Sequence, residues 1–86
     1  MVLKEVAGVF DAVVVGIPDE RFGQRVAAVL AHRPGQEVDL AAVDEHCRSR
    51  LAAYKVPRRV VVVDEVVRRP SGKVDLEWAA RAASLS

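Results

Sequence analysis

Only three of the thirteen cationic side chains are lysines, Lys4, Lys55 and Lys73, and the last stands in the tetrapeptide Pro70-Ser71-Gly72-Lys73. In a chain that otherwise uses arginine, a lysine at a turn invites a chemical explanation. Lysine carries a compact ammonium on a long flexible stem, suited to meeting a developing negative charge, whereas arginine offers a broad planar fork. Gly72 frees the backbone beside it for conformations that a Cβ forbids, and Pro70 stiffens the approach. A solvated lysine on an ordinary surface turn uses the same four residues, and motifs this short recur by accident.

The other chemically capable residues offer less. Cys47 is the only cysteine, so an internal disulfide is excluded and a reducing, cytoplasmic compartment is favoured. One cysteine and two histidines do not by themselves assemble a zinc site. His46 and His32 have no partner evident in sequence, and both are expected to be exposed. The net charge of +1 arises from interspersed acids and bases, which argues against a nucleic-acid partner. No apolar run approaches the length of a transmembrane helix, and the N-terminus has no signal-peptide pattern.

The positioning elements are those of one small α+β domain: a three-stranded sheet with helices packed against it. Val9 to Gly16 is β-branched and apolar apart from Asp11, which predicts a buried strand ended by Pro18-Asp19. Arg25 to His32 predicts a second strand, antiparallel to the first across a connection of about eight residues containing Phe22-Gly23. Asp39 is an N-cap for a helix whose apolar face reads Leu40, Val43, Cys47, Leu51 and Tyr54. On that face Cys47 is a core residue. Arg59 to Val63 predicts a third strand with both faces buried, and Asp75 caps a final Ala-rich helix from Leu76 to Ala83. Val2 to Gly8 reads as the end of a helix without its beginning, as in a piece of a longer protein.

Four segments lift the lysine above coincidence: Val14-Val15-Gly16-Ile17-Pro18-Asp19-Glu20-Arg21-Phe22-Gly23-Gln24, Leu51-Ala52-Ala53-Tyr54-Lys55-Val56-Pro57-Arg58, Val63-Asp64-Glu65 and Arg68-Arg69-Pro70-Ser71-Gly72-Lys73. In this order and spacing the chain resembles the C-terminal lid domain of the acyl-adenylate-forming enzymes. The tail Gly72-Lys73-Val74-Asp75-Leu76-Glu77-Trp78-Ala79 is most similar to that of fatty acyl-CoA synthetases. The resemblance implies a two-step reaction, in which a carboxylate attacks the α-phosphate of ATP to give acyl-AMP, and coenzyme A then displaces AMP. It implies that ATP, magnesium and a carboxylic acid, by this tail a fatty acid, are held by an N-terminal domain of the same polypeptide. That domain and the connecting hinge would lie before Met1, and the isolated fragment would be inactive.

The same resemblance assigns Lys73 to the adenylation step, with Gly72, Pro70 and Arg68 supporting its loop. It places Phe22, Tyr54 and Arg58 near the coenzyme A nucleotide, where aromatics can stack on adenine and Arg can fork onto phosphate. The chain departs from the family pattern at Val56, where some relatives carry a cation, at Val67, where proline is usual, and at Gln24, where Glu is common. These departures bear on the coenzyme contacts rather than on the family. Two other functions fit the same residues: the lid of a peptide-synthetase adenylation domain, serving a carrier-protein thiol, or a non-catalytic module that keeps the lid fold.

Overall fold

The structure is a computed structural model and describes residues 2–21 and 23–84. Three strands form one sheet in the order β1-β2-β3: β1 is Val9–Asp19, β2 is Gly23–His32 and β3 is Arg59–Val63. Helix α1 is Leu40–Arg50 and helix α2 is Leu76–Ser84. Short 3-10 turns occupy Val2–Glu5 and Ala53–Lys55. β1 and β2 are antiparallel, as the sequence predicts. β2 and β3 are parallel, because the segment between them crosses over the sheet as α1.

Side chains alternate across a strand, so the central strand builds two cores at once. Ala28 and Leu30 face α1 and pack with Leu3, Val6, Val43, Cys47 and Val56, while Ala27, Val29 and Ala31 face the other way, with Val66, Ala79 and Ala83 of the α2 side. Ala27 through Leu30 are fully buried. The alanines matter here, since a small side chain on β2 opposite Ala79 and Ala83, one helical turn apart, lets α2 approach the sheet closely. At the C-terminal end of α2 the Arg59 guanidinium donates to the Ala83 carbonyl, meeting the negative end of the helix dipole.

Both helix starts are capped as their sequences require. Asp39 Oδ1 accepts from the Ala41 and Ala42 amides at 3.0 and 3.2 Å, and Asp75 Oδ1 accepts from the Trp78 amide at 3.0 Å. Glu5 ties the N-terminal turn to α1 by accepting from His46 Nε2 at 2.8 Å, with Arg50 3.6 Å away. The His46 hydrogen bond and these positive charges hold the Glu5 carboxyl below its usual range.

Five local expectations are corrected. β1 continues through Pro18 to Asp19 and β2 already begins at Gly23, so the connection is shorter than the eight residues expected; β1 is an edge strand, where a missing ladder donor is tolerated. α1 ends at Arg50, because Leu51 is extended (φ −120°, ψ 150°), so Tyr54 leaves the helical face and stands 76% exposed. Leu40, in the first turn of α1, is also exposed, which narrows the buried stripe to Val43 and Cys47. The valines of β3 are partly buried, because β3 is the other edge of the sheet. Lastly, neither histidine is merely solvated. His46 bonds Glu5, while His32 Nε2 lies 2.8 Å from Asp64 Oδ1 and its Nδ1 lies 2.9 Å from the Arg33 carbonyl.

Candidate functional site

Lys73 directly follows the tip of a miniature hairpin. Arg68 and Val74 form an antiparallel bridge. Beyond it the Arg69 amide donates to the Lys73 carbonyl and the Gly72 amide to the Arg69 carbonyl, each at 2.8 Å. Pro70, Ser71 and Gly72 thus make a three-residue connection with Gly72 last, at φ +89°, the left-handed position that such loops reserve for glycine. Val66 is buried and Val74 partly so against the α2 core, which fixes the base of the hairpin. The Asp75 amide donates to the Val67 carbonyl at 3.0 Å, and Asp75 then caps α2, so the chain runs from the lysine turn into the helix without slack.

Arg68 braces the turn. One terminal nitrogen donates to the Gly72 carbonyl at 3.1 Å and the other to Asp11 Oδ2 at 2.7 Å. Asp11 is the charged residue of the β1 apolar run, and its other oxygen accepts from the Ala12 amide at 2.9 Å and lies 3.3 Å from Lys4 Nζ. Burial pushes the Asp11 carboxyl up, but the hydrogen bonds from Arg68, Ala12 and Lys4 outweigh it and the net shift is downward. Asp11 is the neighbour of the lysine turn that sequence reasoning missed. Its signal was a lone acid in an apolar strand.

Lys73 itself is exposed, and its ammonium has no hydrogen-bond or ion-pair partner among the described residues. An ammonium held out on a braced turn can meet negative charge on a second surface.

Tyr54 and Arg58 lie elsewhere. They line a cleft of about 210 Å³ with Gln24, Arg25, Val26 and Val56, and the Arg58 amide donates to the Val26 carbonyl at 2.9 Å. Lys55 Nζ stands 5.8 Å from the Tyr54 ring centroid. The cleft is smaller than the roughly 300–1,000 Å³ typical of small-molecule pockets, but wider ones adjoin it: Arg58 also lines one of about 350 Å³ and Tyr54 one of about 500 Å³. Phe22, expected beside them, lies outside the described residues. The two candidate regions occupy opposite ends of the sheet: Arg58 bonds Val26 near the start of β2, and Asp11 pairs with Ala31 near its end. Five residues of strand separate these positions, roughly 17 Å.

The remaining candidate is inert. Cys47 is fully buried, and burial pushes its thiol above 9.0, with Asp44 adding to the shift. No helix among the described residues is long and apolar enough to cross a membrane.

Fold and site together give a small mixed-sheet module that presents an exposed lysine on a braced turn. Residues 1–73 match the family model of the AMP-binding enzyme C-terminal domain, and the chain belongs to that family. It is 56% identical over 77 residues to a 3-oxocholest-4-en-26-oate–CoA ligase of Rhodococcus rhodochrous, covering 90% of this chain and 14% of that protein. It is 57% identical over 77 residues, with the same coverages, to a medium/long-chain-fatty-acid–CoA/3-oxocholest-4-en-26-oate–CoA ligase of Mycobacterium marinum. Among solved structures it is similar to a Mycobacterium tuberculosis fatty acyl CoA synthetase, with a TM-score of 0.83 and 34% identity over 93% of this chain and 16% of that one. The chain therefore spans about one-seventh of the curated relatives it matches, 14% of their length.

Proposed function

We propose that this chain is the C-terminal lid of an ATP-dependent acyl-CoA ligase and closes over a larger adenylating domain of the same polypeptide. The observation that carries the reading is the separation of the Lys73 turn from the Tyr54–Arg58 cleft along the sheet. Two such surfaces on one rigid module cannot face one reaction centre together, so serving both half-reactions requires the lid to turn between them. In the first orientation Lys73 faces the carboxylate and the α-phosphate. Charge builds on oxygen as the two anions meet, and an ammonium in a closed, water-poor site stabilises that transition state more than the separated reactants.

In the second orientation the Tyr54–Arg58 end faces coenzyme A. The exposed ring is available to stack on adenine and the guanidinium to fork onto a phosphate. Phe22 belongs with this end by the resemblance. The named activities of the relatives favour a large apolar acid, a fatty or steroid carboxylate, held by the partner domain. Among the described residues no three His, Cys, Asp or Glu side chains converge as metal ligands, so no step is assigned to magnesium on this chain. Use of ATP and coenzyme A, together with a buried free thiol, supports a cytoplasmic location.

The test separates the half-reactions. In the ligase carrying this chain, Lys73→Ala should slow acyl-AMP formation a few hundred-fold, the loss of roughly 3–4 kcal/mol typical of one preorganised donor. Thioester formation from supplied acyl-AMP should stay within several-fold of the parent. Equal losses in both steps would refute a role for Lys73 confined to adenylation.

A further inference from the structure

We infer that Asp11 is a positioning residue for Lys73, acting through the Arg68 guanidinium that links strand β1 to the lysine turn. The inference rests on the proposed role of Lys73. Its starting point is a charge where the fold does not need one. Asp11 stands between Val9 and Val13 in an apolar strand, its side chain only 13% exposed, and a carboxylate there is unfavourable unless fully partnered. A β-bulge between Val9 and Asp11 inserts Phe10 as an extra, exposed residue and sets the direction of the carboxylate; bulges are often used to re-aim a side chain beside a functional site.

Three donors then meet the carboxylate: Lys4 Nζ and the Ala12 amide on Oδ1, Arg68 on Oδ2. The Ala12 and Lys4 contacts are local to β1 and the turn before it, whereas Arg68 comes from 57 residues away. Its second terminal nitrogen reaches the Gly72 carbonyl, the peptide group immediately before Lys73. A guanidinium is planar, so fixing one edge on Asp11 fixes where the other edge can place that carbonyl. The two backbone hydrogen bonds of the hairpin set the shape of the turn. Val66, Val74 and the Asp75–Val67 hydrogen bond hold its base, and the Asp11–Arg68–Gly72 clamp adds a side-chain tie between its tip and strand β1 that sets the tilt of the tip. Lys73 is therefore delivered from a fixed origin, although its own stem is free.

The experiment uses the whole ligase, with single-turnover acyl-AMP formation and thioester formation from supplied acyl-AMP measured separately. Asp11→Asn and Arg68→Gln should each lower the adenylation rate constant about ten-fold or more, since a misplacement of ~1 Å costs up to ~100-fold. Neither should change the thioester step. In a Lys73→Ala background neither should cause further loss, because residues that act as a unit are not additive. Arg68→Gln leaves Asp11 with Lys4 and the Ala12 amide, so it keeps the test decisive should Asp11→Asn fail to fold. Losses in both half-reactions, or the same fold-loss on top of Lys73→Ala, would overturn the inference. A crippled Lys73→Ala beside unaffected Asp11 and Arg68 variants would sink the inference alone. A Lys73→Ala enzyme that adenylates at full rate would sink the Lys73 reading and the inference with it.

Discussion

Gly8 and Gly72 hold the same left-handed backbone, φ +86° and +89°, yet they should respond very differently to alanine. A Cβ at Gly72 meets no heavy atom within 4 Å. Its cost is therefore backbone strain alone, roughly 1–2 kcal/mol for an L-residue in that region, partly offset by the ~0.4–1 kcal/mol gained from restricting the unfolded chain. The net loss for Gly72→Ala is about 0.5–1 kcal/mol, a fall in Tm of roughly 4–8 °C at the upper end for a domain this size. At Gly8 the same Cβ would lie 2.7 Å from the Glu37 carbonyl oxygen and 3.5 Å from its carbon, both backbone atoms that no rotamer change can move aside. Overpacking of that kind adds about 1–3 kcal/mol, bringing Gly8→Ala to roughly 1.5–4 kcal/mol. Thermal and urea unfolding of the chain, followed by circular dichroism, measure both. Equal losses at the two sites would refute the close approach at Glu37. A Gly72→Ala chain more stable than the parent would refute the need for positive φ in the lysine turn.

Two further predictions concern groups that titrate or react. The His32 imidazole should titrate above its usual 6.5, held protonated first by the Asp64 hydrogen bond and then by the Arg33 carbonyl, and Asp64→Asn should bring it down; ring-proton NMR against pH decides it. Since folding favours the charged ring, its stabilisation is fully present below the unfolded value and fades as pH rises through the folded one. Cys47 should resist a thiol reagent such as iodoacetamide at pH 8 in the folded chain and react only as the chain unfolds, because burial both shields the thiol and raises it above 9.0. Fast modification of the native protein would contradict its place in the core.

The caps at Asp39 and Asp75, the antiparallel β1–β2 pair, the burial of Cys47 and the turn at Gly72 were legible in sequence. Each depends on interactions between residues close in the chain, or on a short apolar period. The four spaced segments further carried the family, which the match over residues 1–73 bears out. What sequence left open is what lies far apart along the chain. Tyr54 continued the apolar spacing of α1 on paper, but the helix stops at Arg50 and the ring turns to solvent. His32 looked unpartnered because Asp64 is 32 residues away, brought beside it only when β3 aligns parallel to β2. Asp11 showed only as an anomaly in an apolar run until the fold laid Arg68 across it and onto the Gly72 carbonyl. Local propensity and spacing thus determined the elements and placed Lys73 on its turn. Only the tertiary structure decided what aims that turn, because the side chains involved meet through strand order and packing that local spacing does not encode.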